Sequence, residues 1–187
     1  MLRVTGGKFR GRKIRAPKGL ATRPVLARVR EALFNVLGNI EGFRMLDLYA
    51  GTGAIGIEAL SRGAESVIFV DSGFRQCRII RENLAAIGLS SEILHLDVIR
   101  AVGKLRSTGH QFELIFADPP YEQGLGVKTL HAVYKKGLLA GDGIMALTLR
   151  HDEDVPGIIG SWNQVFNRRY GDSRLVLYAA KQDTGTL

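Results

Sequence analysis

Asp118, Pro119, Pro120 and Tyr121 close the apolar run Leu114-Ile115-Phe116-Ala117, and together they can hold a poor nitrogen nucleophile. The exocyclic amine of a nucleobase is one, because its lone pair is delocalised into the ring. The Asp118 carboxylate and the Pro119 carbonyl offer acceptors for its two N–H groups, which aims the remaining nitrogen density along one line. Two prolines hold that backbone at low entropic cost, and Tyr121 offers a face against which an unstacked base can lie. A Pro-Pro turn that merely ends a strand would account for the prolines and not for the Asp and Tyr that flank them.

A second constellation precedes it. Met45-Leu46-Asp47-Leu48-Tyr49-Ala50 runs into Gly51-Thr52-Gly53-Ala54-Ile55-Gly56, where glycines let the chain turn sharply and lay bare backbone against a ligand at a helix N-terminus. Taken literally, the glycines satisfy the GxGxxG dinucleotide pattern, and Asp71, followed by Ser72, lies where a ribose-binding acid belongs. Asp47 favours a different ligand. A carboxylate beside the glycine turn suits a cationic amino-acid moiety and would repel a pyrophosphate. Asp97, followed by Val98, stands where an acceptor meets an adenine amino group. Three acids on successive strand ends fit the adenosyl amino acid S-adenosyl-L-methionine, although Asp71 and Asp97 can each also cap the helix that follows.

These motifs need a scaffold that collects strand ends. From residue 43 onward, short apolar runs alternate with amphipathic stretches, the pattern of a parallel sheet covered by helices. Strands are expected near 43–49, 66–71, 91–97, 112–118 and 143–149, and helices near 53–63, 73–88, 98–107 and 124–137. Trp162 to Arg169 and Arg174 to Ala180 form an expected antiparallel hairpin turning at Gly171-Asp172. Upstream, Arg3 to Thr5 and Arg12 to Ala16 flank the Gly6-Gly7-Lys8-Phe9-Arg10-Gly11 turn as a small hairpin. Thr22-Arg23-Pro24 then opens a helix to about Gly38.

Charge is concentrated upstream. Of 26 Lys and Arg, ten fall in residues 1–30, which hold no Asp or Glu, whereas the rest of the chain is nearly neutral despite a net +8 overall. A basic segment on a near-neutral body is the footprint of a nucleic-acid binder, because each neutralised phosphate releases counterions. Lys8, Arg10, Arg12, Lys13, Arg23, Arg28 and Arg30 are the candidate RNA contacts. The bland alternative is a solvated basic arm.

The 187 residues leave no room for a separate large substrate domain. The single Cys77 excludes an intrachain disulfide and a Cys-based zinc cage. No apolar run is long enough to span a membrane, and the first fifteen residues lack the apolar core of a secretory signal. A reduced, cytoplasmic monomer without bound metal is the expectation. His151, with Asp152, Glu153 and Asp154, reads as a solvated turn.

With the glycine loop and the Asp-Pro-Pro-Tyr motif in this order and spacing, the chain resembles the amino-directed nucleic-acid methyltransferases. Gly6-Gly7-Lys8-Phe9-Arg10-Gly11-Arg12, Thr22-Arg23-Pro24 and Arg28-Val29-Arg30-Glu31-Ala32-Leu33-Phe34-Asn35 narrow the likeness to the RsmD-type bacterial 16S ribosomal RNA guanine-N2 methyltransferases, from about residue 3 to 180. The resemblance implies a seven-stranded Rossmann-like α/β methyltransferase sheet, mostly parallel, with a C-terminal antiparallel hairpin and helices on both faces. It implies S-adenosyl-L-methionine as methyl donor and a guanine of 16S ribosomal RNA, in an assembling small subunit, as acceptor. Residues 1–40 would be the RNA-binding extension and 41–187 the methyltransferase domain. Asp47, Tyr49, Gly51, Gly53, Asp71, Ser72, Asp97 and Val98 would serve the cofactor, and Asp118, Pro119, Pro120 and Tyr121 the target amine.

Two positions depart from the family pattern. Asp71 stands where Glu is more usual, and Ile144-Met145-Ala146-Leu147-Thr148-Leu149 lacks an acid near its end. Three other readings stay open from the residues: a nicotinamide oxidoreductase, a methyltransferase acting on DNA adenine or another RNA, and a non-catalytic RNA-binding assembly factor. Cytosine-C5 chemistry is disfavoured, because Cys77 falls on a helix away from the strand ends.

Overall fold

The computed structural model describes residues 2–16, 24–121 and 124–180. The chain opens with β1 (Leu2–Arg3), β2 (Lys13–Ile14) and α1 (Pro24–Leu37). Next come β3 (Arg44–Leu48), α2 (Ala54–Ser61), β4 (Ser66–Asp71), α3 (Phe74–Ala85), β5 (Glu92–His95), α4 (Val98–Ser107), β6 (Phe112–Ala117) and α5 (Leu125–Lys136). It closes with β7 (Leu139–Arg150), β8 (Ile158–Ile159), β9 (Trp162–Tyr170) and β10 (Ser173–Ala180). Arg23 and the helix cap expected at Thr22 lie outside the described residues.

β1 and β2 pair antiparallel as the expected hairpin. The main sheet has the order β5-β4-β3-β6-β7-β10-β9-β8, parallel from β5 through β7 and antiparallel through β10, β9 and β8. The direction of winding reverses between β3 and β6, so the loops after those strands open a crevice at their carboxyl ends.

Alternation of side chains explains why the central strands read as unbroken apolar runs. Leu46, Leu48, Ile68, Val70, Ile115 and Ala117 pack on one face against α4 and α5 residues such as Val102 and Val133. Met45, Val67, Phe69, Leu114 and Phe116 pack on the other with Val29 and Leu33 of α1, Ile57 of α2 and Ile80 of α3. A strand buried on both faces needs no polar positions. Val4 and Ile14, on either side of the first hairpin, join this second cluster.

The sheet has eight strands, which corrects the expected seven. The extra strand, Ile158–Ile159, pairs with the outer edge of β9 and is too short to show an alternation. β7 also begins before residue 143. Leu139 pairs with Phe112 ahead of a register shift, and Gly141-Asp142-Gly143 disguises that stretch as a turn. Among the described residues, no helix is long and apolar enough to cross a membrane.

Candidate cofactor and target-amine site

Leu48 and Ala117 are register partners, so Tyr49 and Asp118 leave the sheet side by side. The backbone N–H of Asp118 donates to the Leu48 carbonyl at 3.4 Å, tying the two strand ends together.

Glycine is structural at two points of the first loop. Gly51 has φ 57° and no side chain to shield its backbone. Gly56 lies so close to β4 that a Cβ there would collide with the Phe69 ring, so glycine is what lets α2 rest on the sheet. Asp71 reaches back over the loop: its Oδ2 accepts the Gly51 N–H and its Oδ1 the Gly73 N–H, both at 2.8 Å.

Asp47, expected to serve the cofactor, sits beneath the glycine loop. It is 1% exposed, and its Oδ2 accepts the Gly56 N–H at 3.0 Å from beneath the loop. Burial pushes its carboxyl up to about 8. The Gly56 bond opposes that rise, and the nearby Asp118 and Asp71 add to it. Asp47 therefore braces the loop from inside.

Tyr49 is the one non-glycine among the described residues with positive φ, 58°. A left-handed backbone there costs energy that the surroundings must offset. Its hydroxyl bonds Thr129 Oγ1 of α5 at 2.8 Å, and Thr129 in turn donates to the Leu125 carbonyl at 2.9 Å.

In the second motif, the Thr148 hydroxyl of β7 donates to Asp118 Oδ1, which fixes the rotation of that carboxylate. The Tyr121 hydroxyl bonds Ser173 Oγ of β10. Pro119 is buried and Pro120 exposed. A cavity of about 260 Å³ joins the two motifs: Tyr49, Gly51, Thr52, Asp71, Ser72 and Pro120 line it, together with Gly73 and Gln76.

The third expected acid sits apart from that lining. Asp97 Oδ1 accepts the Arg100 N–H at 3.1 Å as the cap of α4, and Val98 is only 2% exposed, packed in the core.

On the basic extension, Lys8, Arg10, Arg12, Lys13 and Arg28 are exposed. Arg30, expected with Arg28 as an RNA contact, turns inward. It is 2% exposed, donates to the Arg3 carbonyl at 2.7 Å and pairs with buried Glu58 at 3.7 Å. Glu58 also accepts the N–H groups of Thr5 and Gly6, the Thr5 hydroxyl and Arg62 Nε, at 2.7–2.9 Å. The hairpin turn docks on the same helix. Lys8 N donates to the Ser61 carbonyl at 2.7 Å, Phe9 N to Ser61 Oγ at 2.8 Å, and a Cβ on Gly7 would collide with the Ser61 carbonyl oxygen.

Several of these residues escape a motif reading. Thr148, Ser173, Thr129, Glu58 and Asn83, whose Nδ2 donates to the Thr52 carbonyl at 2.9 Å, hold the site without belonging to a recognised pattern. The available signal was contrast: Thr148 interrupts Met145-Ala146-Leu147-Thr148-Leu149, and Glu58 interrupts Ala54-Ile55-Gly56-Ile57-Glu58-Ala59-Leu60.

No group of His, Cys, Asp or Glu among the described residues has metal-holding geometry. Asp152 of the His151 turn pairs with Arg150 at 2.7 Å. Cys77 is buried in α3.

The model of a family described as Conserved hypothetical protein 95 matches residues 2–179. The putative rRNA methyltransferase YlbH of Bacillus subtilis is 33% identical over 180 residues, spanning 95% of this chain and 98% of that protein. Ribosomal RNA small subunit methyltransferase D of Escherichia coli K12 is 30% identical over 164 residues, or 87% and 81% of the two chains. Among solved structures, the putative methyltransferase yhhF from Escherichia coli superimposes with a TM-score of 0.85 at 29% identity, covering 96% of this chain and 97% of that one.

Proposed function

The chain belongs to the Conserved hypothetical protein 95 family, and on that premise we propose that it transfers a methyl group from S-adenosyl-L-methionine to the N2 amine of a guanine in 16S ribosomal RNA, within an assembling small subunit. One observation carries the reading: Pro120 of the amine-holding motif lines the same cavity as the glycine loop and Asp71. A donor on the loop and an acceptor on the motif would share one space.

The residues fit the donor. Gly51 and Thr52 line the cavity, and Asp71 keeps acceptor capacity for ribose hydroxyls, since each carboxylate oxygen can take more than one hydrogen bond. Asp97 would accept from the adenine amine while capping α4. The sulfonium supplies an already activated methyl, so the protein contributes orientation and exclusion of water. Asp118, held by Thr148, accepts one N–H of the guanine amine and takes the proton released as the carbon–nitrogen bond forms. The Pro119 carbonyl accepts the other N–H, and Tyr121, held by Ser173, supports the base. Exposed Lys8, Arg10, Arg12, Lys13 and Arg28 meet phosphates, joined by Arg23 on sequence grounds.

The test is transfer of labelled methyl from S-adenosyl-L-methionine to ribosomal RNA, naked and in small subunits, with digestion to nucleosides. N2-methylguanosine confined to small-subunit RNA is the expected product. Label in another nucleoside, or no label at all, overturns the assignment.

A further inference from the structure

The helix α1 has two basic sides. Arg30 turns inward and ties α1 to the hairpin through the Arg3 carbonyl, whereas Arg28, two residues earlier and about 200° around the helix, faces outward. That outward side borders a groove of about 340 Å³ between α1 and β9. Arg28, Asn35 and Val36 form one wall, and Phe166, Arg168 and Tyr170 the other. The last three share a face because strand side chains alternate. Arg28 and Arg168 are exposed, and Phe166 and Tyr170 half-buried. The Arg168 guanidinium carbon lies 5.7 Å from the centre of the Tyr170 ring. Glu31 is the one carboxylate among the described lining residues.

One wall of the groove is tied to the target-amine motif through β10. Tyr170 is the register partner of Ser173, whose hydroxyl bonds Tyr121. Two cations beside half-buried aromatic faces form the usual combination for an unpaired nucleic-acid strand: the charges track phosphates and the rings stack bases.

We propose that the α1–β9 groove is a second RNA-contact surface, in which Arg28 and Arg168 hold phosphates of the strand flanking the target guanine and Tyr170 stacks one unpaired base. This rests on the methyltransfer reading above and extends the basic surface from the hairpin, across α1, to the far edge of the sheet.

The test uses the full chain with Arg168→Ala, Arg28→Ala plus Arg168→Ala, and Tyr170→Leu, which keeps apolar bulk against the core while removing the ring; Tyr170→Phe is the rescue. Affinity for small-subunit ribosomal RNA is measured across a salt series, with S-adenosyl-L-methionine binding as the control for an intact fold. The double variant is expected to flatten the slope of log affinity against log salt by about 0.7 for each lost single-strand phosphate contact. Tyr170→Leu is expected to weaken RNA binding at least about fivefold, with Tyr170→Phe near wild type. An unchanged salt slope and unchanged RNA affinity in variants that still bind S-adenosyl-L-methionine overturn the proposal. Methyl transfer by the unaltered chain is scored separately: its absence defeats the methyltransfer reading, and the slope still decides the groove.

Discussion

Asn83 satisfies both backbone polar groups of Arg15. Its Oδ1 accepts the Arg15 N–H at 2.8 Å, and its Nδ2 donates to the Arg15 carbonyl at 3.0 Å and to the Thr52 carbonyl at 2.9 Å. One carboxamide on α3, 2% exposed, therefore joins the strand leaving the basic hairpin to the glycine loop. Replacing it leaves one N–H and two carbonyls of part-buried hydrogen bonds without this partner. Asn83→Leu is expected to cost roughly 1–3 kcal/mol of stability and to weaken S-adenosyl-L-methionine and RNA binding together, checked by urea midpoints and by titration of each ligand. Loss of one affinity alone would show that the two sites are not linked through this side chain.

Asp118→Ala is expected to abolish methyl transfer and leave cofactor affinity within a few-fold of wild type. Thr148→Val retains the carboxylate but removes the hydroxyl that orients it. The expected result is a kcat lower by up to about a hundredfold, as small misplacements at reacting centres produce, with little change in KM for the donor. Single-turnover kinetics separate these effects from product release.

Asp47 gives a pH signature. Its carboxyl is raised to about 8 in the fold, so the folded chain holds that proton more firmly than the unfolded one. The resulting stability is complete below the ordinary carboxylate pKa of about 4 and is lost as pH rises toward 8. Asp47→Asn keeps an acceptor for the Gly56 N–H and removes the titration. The variant is expected to show a flatter dependence of the urea midpoint on pH between those limits. An undiminished slope would assign the pH dependence to other groups.

Arg30 and its neighbours divide stability from RNA binding. Glu58→Ala strands Arg30 in the core and is expected to cost about 3–5 kcal/mol, the usual result of removing one partner from a buried pair. Arg30→Met is expected to change stability and leave the salt slope of RNA binding alone. Arg10→Ala with Arg12→Ala is expected to do the reverse, flattening the slope with little change in the urea midpoint. A flattened slope in Arg30→Met would return that residue to the RNA interface.

The parallel strands were legible because burial on both faces writes them as apolar runs, and the motif residues were legible because a sharp glycine turn and a Pro-Pro step admit few alternatives. The Gly171-Asp172 turn placed the C-terminal hairpin for the same reason. Orientation was not legible. Arg28 and Arg30 are both basic residues on one helix, yet contacts with the Arg3 carbonyl and Glu58, distant in sequence, turn Arg30 inward. Asp47 was identified as a carboxylate of the loop, but whether it faces ligand or core depends on the strand's register. Thr148 and Ser173 act across strand pairs, which a local motif cannot encode. The two-residue β8 is defined by its partner alone.

The docking of the hairpin on α2 bears on how RNA binding should be measured. With the Glu58 carboxylate and Ser61 already engaged, the basic side chains sit on a scaffold ordered before any RNA arrives, so encounter carries little cost of arranging that backbone. Deleting the hairpin would do more than remove charge. It would strip the cover from a buried carboxylate and open the apolar surface now occupied by Val4 and Ile14. A shortened chain is therefore a poor control for RNA affinity, and charge-neutralising substitutions at the exposed arginines report on the interface with the core left closed.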